Sequence, residues 1–291
     1  MSFVAPPDVA KNCCNVQEAR VKLSVPKMIV LGLAAGFYIS FGAEASVMVA
    51  HDLTALGAGF QRFMLASIFS VGLMIVINGG AELFTGNCLL WVAYMDRKIS
   101  TAAMLRSWGW VLLANMVGAV FFAWLYYCTG LANFNNSLLG AFQLKMAVAK
   151  TTTPWDQLFV RGIFCNWLVC LAVWLAFASG DVISKCVSAW IGVMTFVMSN
   201  FEHSIANMYY LPAGWFAKHS DAVVKASGLA ADKVDALTWS SIVFNNWVPV
   251  TLGNTVGGCV FVASLYWFSY VRQCKGAPNV AACMRKAAVN E

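Results

Sequence analysis

Charged residues are sparse along this chain, and the stretches between them are long and apolar. A bilayer core of about 30 Å takes about 20 helical residues, and the uncharged stretches are of that size. Residues 28–43 are apolar and uncharged, and the run continues past Glu44 to Ala50. Residues 63–81 form a second full-length run, interrupted near its end by Gly79 and Gly80, and a shorter apolar piece follows at 83–95. Further runs cover 107–131, 162–180 and 186–201, the last interrupted by Glu202 and His203 before apolar sequence resumes at 204–217. A final span lies within 241–271. Counting each interrupted unit once predicts an all-α integral membrane protein of six spans, with spans two and five broken.

Composition agrees. The 291 residues are 60% hydrophobic and 11% charged, against roughly 25% charged in soluble domains. The net charge of +6 is not gathered into a dense basic stripe, so no nucleic-acid partner is expected. With both termini inside, Lys/Arg number twelve on the inner segments and seven on the outer ones (Arg62, Lys145, Lys150, Arg161, Lys218, Lys225, Lys233). The positive-inside rule then places both termini in the cytoplasm, with the plasma membrane as the expected location. Residues 1–27 carry scattered charge and three prolines and lack a signal-peptide core, so they read as a cytoplasmic tail. The pore domain is expected over 28–272, with halves near 28–131 and 158–271, and a second tail at 273–291. The ten cysteines show no CxxC pair or metal spacing and read as reduced packing residues. No metal or cofactor is expected.

The two halves echo each other. Residues 113–118 (Leu-Ala-Asn-Met-Val-Gly) and 252–257 (Leu-Gly-Asn-Thr-Val-Gly) are alike. At the interruptions, Glu82 is followed five residues later by Asn87, and Glu202 by Asn207. Three spans per half makes the repeat inverted (3+3), and discontinuous helices at matching places in inverted halves point to a transport site. Broken backbone at membrane depth is tolerated only in protein or beside a cavity.

His203 is the one histidine inside a predicted span, and intramembrane ionisable groups are functional candidates. A neutral His203 suits a hydrogen-bond donor to a passing anion or a proton relay; a structural histidine on a freed carbonyl is the alternative. Glu82 and Glu202 read as structural groups at the helix breaks, because a carboxylate facing the lumen would repel an anion. Glu44 reads as an interfacial or packing residue. Asn115 and Asn254 suit interhelical bonds, with Gly118, Gly257 and Gly258 allowing close helix packing.

Residues 80–87 (Gly-Ala-Glu-Leu-Phe-Thr-Gly-Asn) and 201–208 (Phe-Glu-His-Ser-Ile-Ala-Asn-Met) resemble the two signature segments of the formate/nitrite transporter family. Residues 247–254 look like the start of that family's last span, and the resemblance covers about 20–272. It implies a homopentamer with one aquaporin-like pore per protomer and two hydrophobic constrictions around a central histidine. His203 matches that histidine, and Thr85 the threonine facing it. The resemblance assigns Phe84, Phe69 and Phe196 to constrictions, Lys150 to the outer vestibule and Asn254 to the inner constriction. For the last four the alternatives are packing or lipid-facing aromatics, a solvated lysine and an interhelical amide. Gly86 stands where some formate channels carry serine, which would leave room for lactate or acetate.

The implied function is passage of a small monocarboxylate or similar anion, formate first, with protons. Nitrite, hydrosulfide, acetate and lactate are the alternatives. An aquaporin would carry Asn-Pro-Ala at both breaks, and neither break contains proline. No GxSxG, HExxH or paired-His motif supports a membrane enzyme.

Overall fold

The computed structural model describes residues 4–272 and is helical throughout, with no strand among them. The first helix, α1 (Pro6–Arg20), opens with proline in its first turn, where the missing N–H costs nothing. The next, α2 (Val25–Ala50), does the same with Pro26. Then α3 (Ala58–Phe69) and α4 (Val71–Gly79) run on as one 22-residue apolar rod. A non-helical stretch follows before the short helices α5 (Phe84–Asn87) and α6 (Leu90–Met95). Half one closes with α7 (Thr101–Cys128), whose N-cap Ser100 accepts from Ala103 N–H.

The second half holds α8 (Leu138–Thr152), α9 (Trp155–Phe177) and α10 (Val182–Met198). A second non-helical stretch leads into α11 (Ser204–Ala217). Short α12 (Asp221–Ser227), α13 (Ala231–Asp235) and α14 (Trp239–Ile242) follow. The last rod passes through α15 (Val248–Gly258) and three π-helical turns to Val271.

Five of these rods are long and apolar enough to cross a bilayer, and α10 is a shorter apolar helix of 17 residues. They overshoot the apolar windows read from sequence. The rod carrying α3 starts at Ala58, α7 at Thr101 and α9 at Trp155, because a helix continues past the hydrocarbon into the polar interface. Close approach uses small residues in both halves. A Cβ on Gly118 would strike the backbone of Leu33 at 2.6 Å, and one on Gly257 would strike the Ile163 carbonyl.

Two segments differ from the expected layout. Residues 6–20, expected as a tail, form a helix packed on α6, α9 and the final π turn. It buries Val9, Ala10, Cys13, Cys14 and Gln17. Burial pushes the Cys13 thiol up to about 12 and Cys14 up to about 11, so both remain thiols at neutral pH. Lys145 and Lys150, counted above on an outer segment between spans, lie on helix α8, which packs on α11. The tail at 273–291 lies outside the described residues.

Candidate functional site

The two interruptions are built on one plan. Each begins with a residue in the left-handed region, Gly80 (φ 70°) and Asn200 (φ 59°), which turns the chain out of its helix. Asn115 on α7 then spans the first gap: its Oδ1 accepts from Phe84 N–H at 2.9 Å, and its Nδ2 donates to Gly32 O and Glu82 O at 2.8 and 2.9 Å. Asn254 on α15 repeats this at the second gap. It accepts from Ser204 N–H at 2.9 Å and donates to Gly162 O and Glu202 O at 2.8 Å each. The Glu82 N–H donates to Leu31 O, and Glu202 N–H to Arg161 O. Backbone freed by each break is thus satisfied inside the protein, as a low-dielectric setting requires.

The side chains of the breaks are paired in the same way. Asn87 Nδ2 donates to Glu82 Oε2, and Asn207 Nδ2 to Glu202 Oε2, both at 2.7 Å. Trp108 and Trp247 cap the Asn87 and Asn207 carbonyls. Each glutamate has one cation. Lys150 on α8 straddles Glu202 at 2.8 and 2.7 Å. Arg20 at the end of α1 sits 3.3 Å from Glu82 and donates to Asn87 Oδ1 at 3.0 Å.

The breaks meet. Thr85 Oγ1 lies 3.0 Å from His203 Nε2, both side chains being buried. His203 is also the N-cap of α11, and its Nδ1 accepts from Ala206 N–H at 3.0 Å. A ring nitrogen that accepts carries no proton, so the neutral ring holds its proton on Nε2 and donates it to Thr85. The Thr85 hydroxyl hydrogen is then free for a third partner. Asn166 and Cys170 hold the Thr85 carbonyl from behind at 3.2 and 3.4 Å.

A cavity of about 770 Å³ opens from His203 to one face of the molecule. Phe69 and Phe196 wall its floor, with rings edge to face at 6.1 Å, and Phe196 stacks on His203 at 5.7 Å. Arg62, Lys145, Lys150 and Arg161 line it against only Asp52 and Glu202, an excess of positive charge that draws anions. On the opposite side of the Thr85–His203 contact lies a cavity of about 140 Å³, walled by Leu73, Val76, Leu83, Gly86, Val173 and Phe177, with Arg20 and Lys185 also lining it.

Most of the residues singled out in the sequence therefore converge: His203, Thr85, Lys150, Phe69, Phe196 and the four break residues Glu82, Glu202, Asn87 and Asn207. The remaining two, Asn254 and Phe84, are engaged with backbone and with a ring. Asn254 lines neither cavity and spends its amide on backbone. Phe84 lines neither, and packs edge to face on Trp108 at 6.2 Å. The reason is local: Leu83 is extended (φ −109°, ψ 124°), so neighbouring side chains point to opposite sides, and Leu83 takes the cavity. Sequence reading missed Leu83, Arg20 and Asn246, which accepts from Asn207 and donates to the Lys150 carbonyl. Arg20 had a signal: the first glutamate needs a cation just as the second does.

A family model described as formate/nitrite transporter matches residues 7–268. A probable formate transporter of Methanothermobacter thermautotrophicus is 38% identical, covering 94% of this chain and 99% of that one. The formate channel FocA of Escherichia coli (strain K12) is 31% identical, over 85% and 87%. Among solved structures, a pentameric formate channel with formate bound superposes with a TM-score of 0.78 at 29% identity, covering 85% of this chain and 98% of that one. The chain belongs to the formate/nitrite transporter family, a family of integral membrane transporters and not of enzymes.

Proposed function

We propose that this protein passes small monovalent acid anions, formate first, across the plasma membrane together with a proton, as a homopentamer with one passage per protomer. The observation that carries the reading is the Thr85–His203 hydrogen bond, which joins the two helix breaks between a large cationic cavity and a small apolar one. The relatives named for formate support the substrate, and the pentameric neighbour supports the assembly. The doubled bonding of Asn115 and Asn254 supports an aquaporin-like 3+3 inverted repeat of six spans. The basic residues on the α1 side support cytoplasmic termini.

The cationic cavity concentrates the anion near Lys150. A bare charge crossing between Phe69 and Phe196 would cost far more than a neutral acid. The anion therefore takes a proton from vestibule water before it reaches His203. His203 acts as an orienting donor rather than a net proton source, because Ala206 N–H occupies the nitrogen through which the ring would be reloaded. His203 polarises Thr85, and the free Thr85 hydroxyl hydrogen bonds the acid midway. Leu83, Val173 and Phe177 form the exit on the far side.

The test is flux of formate, acetate, lactate, nitrite and hydrosulfide into proteoliposomes over a pH series. Formate flux is expected to rise about tenfold per pH unit of acidification while the acid is mostly ionised, since the neutral fraction rises in that proportion. Flux that rises with pH and follows only the membrane potential would overturn the reading.

A further inference from the structure

Glu44 sits on α2 with its carboxyl half-buried, six residues before the end of a bilayer-spanning rod. Among the described residues it has no ion-pair partner, and a lone carboxylate at such depth is expensive. Three further polar groups gather beside it where α2, α7, α8 and α11 pack together. The Tyr126 hydroxyl on α7 faces the Glu44 carboxyl. Tyr209 on α11 lies beside both, and the Gln143 amide on α8 faces Tyr209. Both facing pairs are loose: among the described residues, Tyr126 Oη, Tyr209 Oη and Gln143 Nε2 are buried with no partner at full hydrogen-bond geometry. Unpaired buried polar atoms of this kind are rare, and three of them converge beside one carboxylate.

The cluster is separate from the passage. None of its four residues lines either cavity. Tyr210 stands between, turning its hydroxyl to Ser46 at 3.1 Å and stacking its ring on Phe69 at 6.1 Å. The nearby cations are committed elsewhere. Lys150 holds Glu202, Lys145 lines the large cavity, and His51 bonds Met48 O and Asn135.

We propose that Glu44, Tyr126, Tyr209 and Gln143 form a second site that holds a small monovalent cation, either a proton or an alkali-metal ion. The donors are hard oxygens (one carboxylate, two phenols and, with the Gln143 amide turned, its carbonyl), and such donors select hard cations. One negative charge is neutralised by a monovalent ion, whereas a divalent ion would leave a buried excess.

The experiment uses the full-length protein in detergent and follows its thermal unfolding midpoint in sodium chloride against choline chloride at equal ionic strength, across a pH series. If sodium is the occupant, a hundredfold excess over its dissociation constant raises the wild-type midpoint by roughly 5 °C at fixed pH, and Glu44→Gln abolishes the rise. If the proton is the occupant, sodium has no effect, and the wild type gains stability relative to Glu44→Gln as pH falls. In the sodium case, Tyr126→Phe and Tyr209→Phe each shift the half-saturating concentration about tenfold upward; in the proton case, Tyr126→Phe shifts the acid stabilisation to higher pH, because the lost hydroxyl favoured the ionised carboxyl. These variants also serve if Glu44→Gln does not fold. Identical responses of wild type and all three variants to both ions overturn the proposal. So does a wild type indifferent to both ions whose Glu44→Gln variant loses its oligomeric state, which would assign the carboxylate to a basic side chain of a neighbouring copy.

Discussion

The helix break before α5 and the break before α11 share a frame and differ in what the frame carries. Glu82 and Glu202, Asn87 and Asn207, Asn115 and Asn254, Gly80 and Asn200 make matching bonds or turns. Leu83 and His203 occupy the same extended N-cap position, yet only His203 caps its helix with a side chain. Thr85 stands where the other half has Ile205. The large cavity belongs to the His203 side and the small one to the Leu83 side. The duplicated residues therefore brace two broken helices in an apolar setting, and the unmatched pair makes the contact between them. The cations differ too: Lys150 comes from α8 within the second half, and Arg20 from the N-terminal helix.

The hardest test of the shared frame is to remove it from either side. Asn115→Ala and Asn254→Ala each strip partners from one buried N–H and two buried carbonyls. At about 1–3 kcal/mol per orphaned group, each should destabilise by on the order of 5 kcal/mol. Both should lower the unfolding midpoint in detergent by similar amounts; a much milder loss in one would break the equivalence. Next come the cations. Lys150→Ala leaves the buried Glu202 carboxylate unpaired, a change worth about 3–5 kcal/mol. Arg20→Ala should cost roughly half that, because Arg20 approaches Glu82 at 3.3 Å whereas Lys150 reaches both Glu202 oxygens at 2.8 and 2.7 Å. Equal losses in thermal unfolding would contradict this ranking.

Exchanging the unmatched residues sharpens the contrast at smaller energies. His203→Phe removes the donor to Thr85 and should lower formate flux about tenfold to a hundredfold, while costing only about 1 kcal/mol for the lost cap. His203→Asn is the control: asparagine is a good N-cap and recovers that stability, but not flux. Flux restored by asparagine would reduce His203 to a cap like any other.

How much of this was legible in sequence follows the same division. The spans and both breaks could be read because a bilayer leaves long uncharged runs, and the breaks because Glu202 and His203 interrupt one. The Glu–Asn spacing exposed the duplicated pairs. What escaped depends on direction in space. Leu83 rather than Phe84 faces the inner cavity because of an extended φ, which no periodicity records. The resemblance places Asn254 on the pathway, and no pattern in the sequence records that its amide makes three bonds to backbone. Arg20 was read as one charge in a tail, because nothing local indicates that α1 folds back on α6 and α9.

The mildest change concerns Gly86, which stands in the first half where Ala206 stands in the second. A Cβ at Gly86 would find its nearest neighbour, Val173 Cγ2, at 3.8 Å, an ordinary contact, so the glycine is not there for close packing. It lines the small cavity, and what its missing side chain contributes is space there. Gly86→Ala would match the two halves, and Gly86→Ser would go one atom further. Neither should lower the unfolding midpoint, since glycine is the poorer helix former. Formate flux should stay within about twofold, while lactate flux through Gly86→Ser should fall about tenfold, the usual scale for one methylene-sized group in a tight apolar site. Competition between the two acids in one vesicle preparation reads that ratio directly, and an unchanged ratio would move the size filter to Phe69 and Phe196 on the opposite side of His203.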